Sequence, residues 1–239
     1  MKKLIAVIVL IAFTGSIHAQ WYGKRIKGNG NMITKTRTVS DYDAISVAGS
    51  FDVKLVAGNE GNLTIHIDEN LLEYLETEVN GDNLKISWKK GVNISTHKKI
   101  LITVPFVDIE RVSLAGSGDV YSDDVIKATE FKISLAGSGD VKLHIAASDI
   151  SSSIVGSGDV DLRGNATSIR CSISGSGDID AYQLTSDKAD VSISGSGGVK
   201  ISVKDNLKAR ISGTGNVYYK GNPKYQDFKV SGSGSVSSR

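Results

Sequence analysis

One pentapeptide, Gly-Ser-Gly-Asp-Val, recurs so regularly that it constrains the architecture more than any other feature of the chain. Aligned on the first glycine, its copies start at Gly116, Gly137, Gly156, Gly175, Gly195, Gly213 and Gly232, at spacings of 21, 19, 19, 20, 18 and 19 residues. An eighth, degenerate copy is Gly49-Ser50-Phe51-Asp52-Val53. Tandem units of about 20 residues cannot bury a core alone and stack into solenoids. On both sides of each turn apolar residues alternate with small or polar ones, the period of strands with one buried face. Two positions before the first glycine stand Leu114, Leu135, Ile154, Ile173, Ile193, Ile211 and Val230; four positions after it stand Val120, Val141, Val160, Ile179, Val199, Val217 and Val236. Coils stacked at the strand spacing of about 4.8 Å would align these as two aliphatic columns in a rod roughly 30 Å long. The expected class is therefore all-β, a parallel β-solenoid. Glycine suits a tight corner because it tolerates positive φ and close backbone approach. The serine between the glycines is expected to form a hydroxyl ladder along that corner.

The first 19 residues read as a secretory signal. Lys2 and Lys3 give the positive start, Leu4 to Phe13 an apolar run too short to span a bilayer, and Ile17-His18-Ala19 a cleavage site before Gln20. The sole cysteine, Cys171, is far from that site, which argues against a lipoprotein and excludes an internal disulfide framework. Without Lys2 and Lys3 the chain carries 26 basic and 26 acidic residues from the original 28 and 26. That balance gives no support to nucleic-acid binding, and the basic pairs Lys89-Lys90 and Lys98-Lys99 read as solvated strand ends. The expected location is the periplasm or the cell surface, with no membrane insertion.

Residues 20–37 form an N-terminal tail and 38–220 one continuous domain, β-rich over 38–110 and regularly repeating over 111–220; 221–239 form a capping coil. The N-terminal part shows strands at Met32 to Val39, Ala44 to Val47, Phe51 to Ala57, Asn62 to Asp68, Asn83 to Trp88 and Lys99 to Val104. A helix is expected from an Asp68 N-cap to about Glu78, with Leu71, Leu72 and Leu75 on its apolar side. This segment is expected to cover the open start of the solenoid, while Tyr218, Tyr219, Tyr225 and Phe228 gather at the other end.

The Phe51-Asp-Val-Lys-Leu strand, the Asp68-Glu-Asn-Leu-Leu segment and the tandem repeats together resemble the putative auto-transporter adhesin, head GIN domain family. The likeness covers roughly residues 38 to 220. The resemblance implies a right-handed parallel β-helix similar to pectin lyases, without their catalytic residues, and a role in cell adhesion. The residues after position 220 are too few for a membrane barrel, so self-translocation is not expected.

Two columns are candidates for function. Asp119, Asp140, Asp159 and Asp178 stack as carboxylates, followed by Gly198, Asn216 and Ser235. They are a candidate Ca²⁺ column, since hard cations take six to eight oxygens, while the plainer reading has each aspartate bonding an N–H of its own turn. No other cofactor is expected. Ser113, Ser134, Ser153, Ser172 and Ser192, beside Ala115 and Ala136, form a flat face of small residues suited to another subunit or to a glycan. The mature histidines His66, His97 and His144 are isolated, and no nucleophile elbow or metal-binding His pair appears. Stacked carboxylates in similar environments do not divide into acid and base. Cys171 falls in an inward column with Val112, Ile133, Ser152 and Val191, as an inert thiol would. The chain is thus expected to be an exported, non-enzymatic solenoid for adhesion or envelope glycan contact, with a glycan or cell-surface protein as partner and a homo-oligomer as one assembly. The alternatives are a polysaccharide-processing β-helix enzyme with an unrecognised site and a structural periplasmic scaffold.

Overall fold

The computed structural model describes residues 24–239, so the expected signal lies outside the described residues. The first strands are β1 (Lys24–Lys27), β2 (Met32–Thr38), β3 (Ala44–Gly49), β4 (Asp52–Ala57) and β5 (Asn62–Asp68). After a short 3₁₀ helix, Glu69–Tyr74, come β6 (Leu75–Asn80), β7 (Asn83–Trp88), β8 (Val92–Ser95), β9 (Leu101–Phe106) and β10 (Arg111–Gly116). The repeats supply the long strands β11 (Val120–Gly137), β12 (Val141–Gly156), β13 (Val160–Gly175), β14 (Ile179–Gly195) and β15 (Gly198–Gly213). The chain closes with β16 (Asn216–Lys220), β17 (Tyr225–Gly232) and β18 (Ser235–Ser238). Neighbours from β10 to β18 pair in parallel, coil on coil, as a β-solenoid of about seven turns.

The aliphatic columns are in direct register. Leu114 pairs with Leu135, Leu135 with Ile154, Ile154 with Ile173 and Ile173 with Ile193, all buried. The unequal spacings leave the corners undisturbed because the surplus residues are absorbed as register shifts at the bend of each coil, between Tyr121 and Val125, Asp161 and Arg163, and Ala181 and Thr185. A bulge there costs little pairing, whereas a slip at the corner would turn every following side chain to the wrong face.

The corner explains its own composition. Gly116 O accepts from both Ser138 N (3.0 Å) and Gly139 N (3.1 Å), and the pattern repeats up the rod. This draws successive corners so close that a Cβ on Gly139 would lie 2.0 Å from Gly118 O. Phe51 takes the second glycine's place in the first coil because no earlier corner lies beneath it; its ring instead meets Trp88 edge-on at 5.3 Å. The serine hydroxyls do not form the expected continuous ladder. Among the described residues that column has one hydroxyl–hydroxyl bond, Thr214 to Ser196, and the backbone amides do the stacking.

The degenerate copy is a true coil: Gly49 pairs with Gly116 through β3 and β10, and Val53 with Val120 through β4 and β11. From there the chain leaves the rod and returns at Arg111, and the strands of that excursion, joined by the earlier β2, cover the rod's starting end. β7 and then β6 extend one face; β9, β5 and β2 extend the other.

The expected helix from Asp68 to Glu78 is corrected to the six-residue 3₁₀ turn, after which Leu75 already begins a strand. Asp68 makes no side-chain cap to it. Its buried carboxylate instead accepts from Gly30 N (2.7 Å) and Thr96 Oγ1 (2.6 Å), and Arg37 takes up the freed carbonyls of Leu72 and Leu75. At the far end Tyr219 is buried and packs on Phe228 at 6.1 Å, but Tyr225 is 70 % exposed and does not join them.

Cys171 is buried in the expected column, and burial pushes its thiol up to about 12, with the Asp190 charge adding to the effect. Beside it Ser152 is buried with Oγ lacking any hydrogen-bond partner. Ser152→Ala should therefore raise stability by about 1 kcal/mol in urea unfolding, since an unmade buried hydrogen bond is removed at little loss of packing.

Candidate functional site

The aspartate column forms a ladder whose rungs run between coils. Asp119 N donates to Asp52 Oδ1, Asp140 N to Asp119 Oδ1 and Asp159 N to Asp140 Oδ1, each at 3.1 Å; Asp178 N reaches Asp159 Oδ1 at 2.9 Å and Gly198 N reaches Asp178 Oδ1 at 2.6 Å. The expectation that each aspartate bonds its own turn is thereby corrected. Coils 4.8 Å apart bring the next coil's amide within reach, and the geometry of one coil fixes that of the next. The ladder begins one coil earlier than the sequence column, at Asp52, whose Oδ2 pairs with Lys99 Nζ at 2.7 Å. It breaks at Gly198, which has no acceptor, and resumes where Asn216 Oδ1 accepts from Ser235 N and Oγ.

For metal binding, the arrangement leaves Oδ1 of Asp119, Asp140, Asp159 and Asp178 committed to amides. Among the described residues no group of three or more His, Cys, Asp or Glu side chains is placed to hold a metal ion. The ladder makes a distinct prediction about stability. Asp159→Ala strands the Asp178 N–H and should cost about 1 kcal/mol, whereas Asp159→Asn keeps the acceptor and relieves carboxylate repulsion of about 1 kcal/mol per neighbouring pair. Urea midpoints should rank Asn at or above wild type and Ala below it. Equal midpoints for Ala and Asn would show that the rung contributes nothing.

The small-residue face is assembled as the spacing implied. Ser113, Ser134, Ser153, Ser172 and Ser192 are consecutive register partners, as are Ala115, Ala136, Val155, Ser174 and Ser194. Ser46 and Ala48 extend both rows at the start of the rod, a contribution hidden by the long excursion; Arg210 and Lys229 end the serine row. Val155 stands 58 % exposed in the middle of this face.

A concavity on the side of the rod was not foreseen. Along the corner that leads into the small-residue face runs an open groove of about 760 Å³. Three coils form its floor through Thr129, Ser148 and Thr167, each with small or polar neighbours such as Ala128, Ala147 and Asn165, while Asp43, Asp108 and Glu110 form an acidic wall at one end. Carboxylate, amide and hydroxyl groups, with the Lys127 ammonium among them, in an open trough suit a polyhydroxylated ligand more than an apolar one, which would need an enclosed apolar pocket. The signal available in the sequence was the run of short polar residues after each bend, but their alignment depends on the register shifts.

Another grouping also escaped the sequence. β1 and β8 pair in parallel as a separate two-stranded ribbon, joining Lys24, Arg25 and Lys27 to the segment that carries Lys89, Lys90, Lys98 and Lys99. Among the described residues no helix is long and apolar enough to cross a membrane.

The sequence matches the family described as putative auto-transporter adhesin, head GIN domain, over residues 41–223. Among solved structures, the chain is similar to a putative adhesin from Bacteroides fragilis, at 22 % identity and a TM-score of 0.85, covering 90 % of this chain and 100 % of that one. It is also similar to a putative lipid binding protein from Parabacteroides distasonis, at 29 % identity and a TM-score of 0.75, covering 90 % and 100 %. A putative adhesin from Parabacteroides merdae aligns at 27 % identity and a TM-score of 0.72, covering 90 % and 99 %. No curated protein matches the chain.

Proposed function

Because the chain belongs to the putative auto-transporter adhesin, head GIN domain family, we propose that it is an exported, non-enzymatic adhesin that contacts glycan through the side of its solenoid. The observation that carries this reading is the polar groove of Thr129, Ser148 and Thr167 beside Asp108 and Glu110. A sugar chain laid along it would meet one hydroxyl or amide per coil, at a repeat of about 4.8 Å, close to the length of a pyranose unit. Many such contacts, each weak, give avidity along an extended ligand without a deep pocket. The adjoining serine and alanine rows supply short side chains from Ser46 to Ser192, before Arg210 and Lys229 end the serine row.

A glycan-array screen of the exported protein, followed by titration of the best ligand, tests the reading. Asp108→Ala combined with Asn165→Ala should weaken that ligand at least tenfold, the equivalent of one or two polar contacts of about 1 kcal/mol each. A blank array together with unchanged attachment to glycan-bearing cells would sink the proposal, and release of reducing ends from a bound glycan would replace it with an enzymatic reading.

A further inference from the structure

We propose that the ribbon of β1 and β8 is a docking surface for an anionic lipid bilayer, holding the base of the solenoid against a membrane. Residues 24–31 and 88–100 carry seven cations and no carboxylate. The remainder of the described chain therefore holds nineteen basic and twenty-six acidic residues, so a molecule of zero net charge is divided into a cationic end and an anionic body.

Pairing makes the ribbon two-sided. Ile26 is buried opposite Ile94, and Val92 and Ile94 pack on the core, so the underside is apolar and fixed. By strand alternation Arg25 and Lys27 point the other way, beside Asn93 and Ser95. The bond from Lys24 N to Gly91 O brings that end next to Lys89 and Lys90, and the bond from Gly28 N to Ser95 O brings the other end toward Lys98. Of the carboxylates near the ribbon, Asp52 is engaged by Lys99, Asp68 by Gly30 N and Thr96, and Glu69 by Asn31, while Glu73 and Glu76, on the segment beside Lys89, form no ion pair with it among the described residues. Among the described residues Lys24, Arg25, Lys27, Lys89, Lys90 and Lys98 make no ion pair within 4.0 Å.

The geometry favours a membrane over a single anionic glycan chain. Arg25 and Lys27 stand on the solvent side of a short ribbon, whereas the concavity beside it is lined by Trp88, Val92, Asn93 and Ile94 and by the corners Gly49-Ser50 and Gly116-Ser117, with no cation in its lining and the Trp88 ring turned onto Phe51. A saccharide strand needs a groove and an offered aromatic face; a lipid surface needs only a patch of cations within a Debye length of its headgroups. The anionic body would be repelled by the same surface, which orients the rod with the ribbon toward the membrane and the rest of the molecule away from it.

The test is co-sedimentation of the exported protein with vesicles. It should partition onto vesicles of equal parts phosphatidylglycerol and phosphatidylcholine but not onto phosphatidylcholine alone, and lose that binding as salt is raised. Reversing Lys24, Arg25 and Lys27 together to glutamate should lower partition at least a hundredfold, from roughly fivefold or more per residue. Reversing Lys132, Lys188 and Lys229 on the body should change it no more than about twofold, with circular dichroism melts confirming that both variants fold. Equal binding to neutral vesicles, an unaffected ribbon variant or an equally impaired body variant would overturn the proposal. So would ribbon-dependent binding to polygalacturonate with no binding to anionic vesicles, which would make the ribbon a polysaccharide site.

Discussion

Replacing Gly158 by alanine should destabilise the solenoid by at least about 3 kcal/mol, among the largest effects a single methyl group can have. The new Cβ would lie 2.0 Å from Gly139 O and 3.0 Å from Leu135 Cδ2. The first of these is backbone, so no side-chain rotation relieves the contact. Moving Gly158 away breaks its bond to Gly137 O, which also holds Ser157. Coils in a solenoid are stabilised by their neighbours, so a clash in mid-rod weakens the interface on either side of it. Two controls separate the causes. Ser157→Ala, on an exposed residue of the same corner, should stay within about 0.5 kcal/mol. Gly81→Ala, at φ +65° with nothing within 4 Å, should cost about 1 kcal/mol from the positive φ alone. Thermal and urea unfolding followed by circular dichroism would order the three; a Gly158 variant no worse than the Gly81 variant would remove close approach as the reason for the second glycine column.

The same contrast shows where the sequence was legible. Wherever identical residues recur at a nearly fixed spacing, stacking turns sequence position directly into spatial position, so the core columns, the serine row and the buried Cys171 could all be placed in advance. The donor to each aspartate could not, because a repeat makes the next coil's amide as close as the residue's own. The groove depends on how surplus residues are absorbed at the bends. In the excursion, Leu71 and Leu75 are both buried, as a helix would have them, yet they belong to a 3₁₀ turn and the strand after it. Asp68 would have marked a helix start, but Gly30 and Thr96, each nearly 30 residues or more away in the chain, claim its carboxylate. The cationic ribbon was hidden for the same reason: its two strands are short, dissimilar and far apart in sequence.

Asp68→Ala should release that ribbon while leaving the rod folded. The carboxylate is fully buried and accepts two short hydrogen bonds, one from the turn after β1 and one from the turn after β8. It is thus the clasp between an isolated two-stranded sheet and the end of β5 in the main one, and Gly28 lies so close that its Cβ would meet Asp68 Oδ2 at 2.7 Å. Hydrogen bonds to a charged acceptor are each worth about 1.5 to 3 kcal/mol, and their loss also leaves Gly30 N–H and the Thr96 hydroxyl without a partner. The ribbon pairs only with itself as a sheet and is otherwise held by the packing of Ile26, Val92 and Ile94 and by exposed bonds to Asn70 and Glu69, so the cost should appear as local opening rather than global unfolding. Amide exchange over residues 24–31 and 92–96 should quicken by about a hundredfold, and trypsin should cut at Lys24, Arg25, Lys27 or Lys98 before it cuts the coils. Asp68→Asn, which keeps one acceptor oxygen, should fall between the two. Unchanged protection in the ribbon would mean that Ile26 and Ile94 hold it without the clasp, whereas a fall in the melting temperature of the whole chain equal to that of Gly158→Ala would make the ribbon a structural part of the solenoid's first coil.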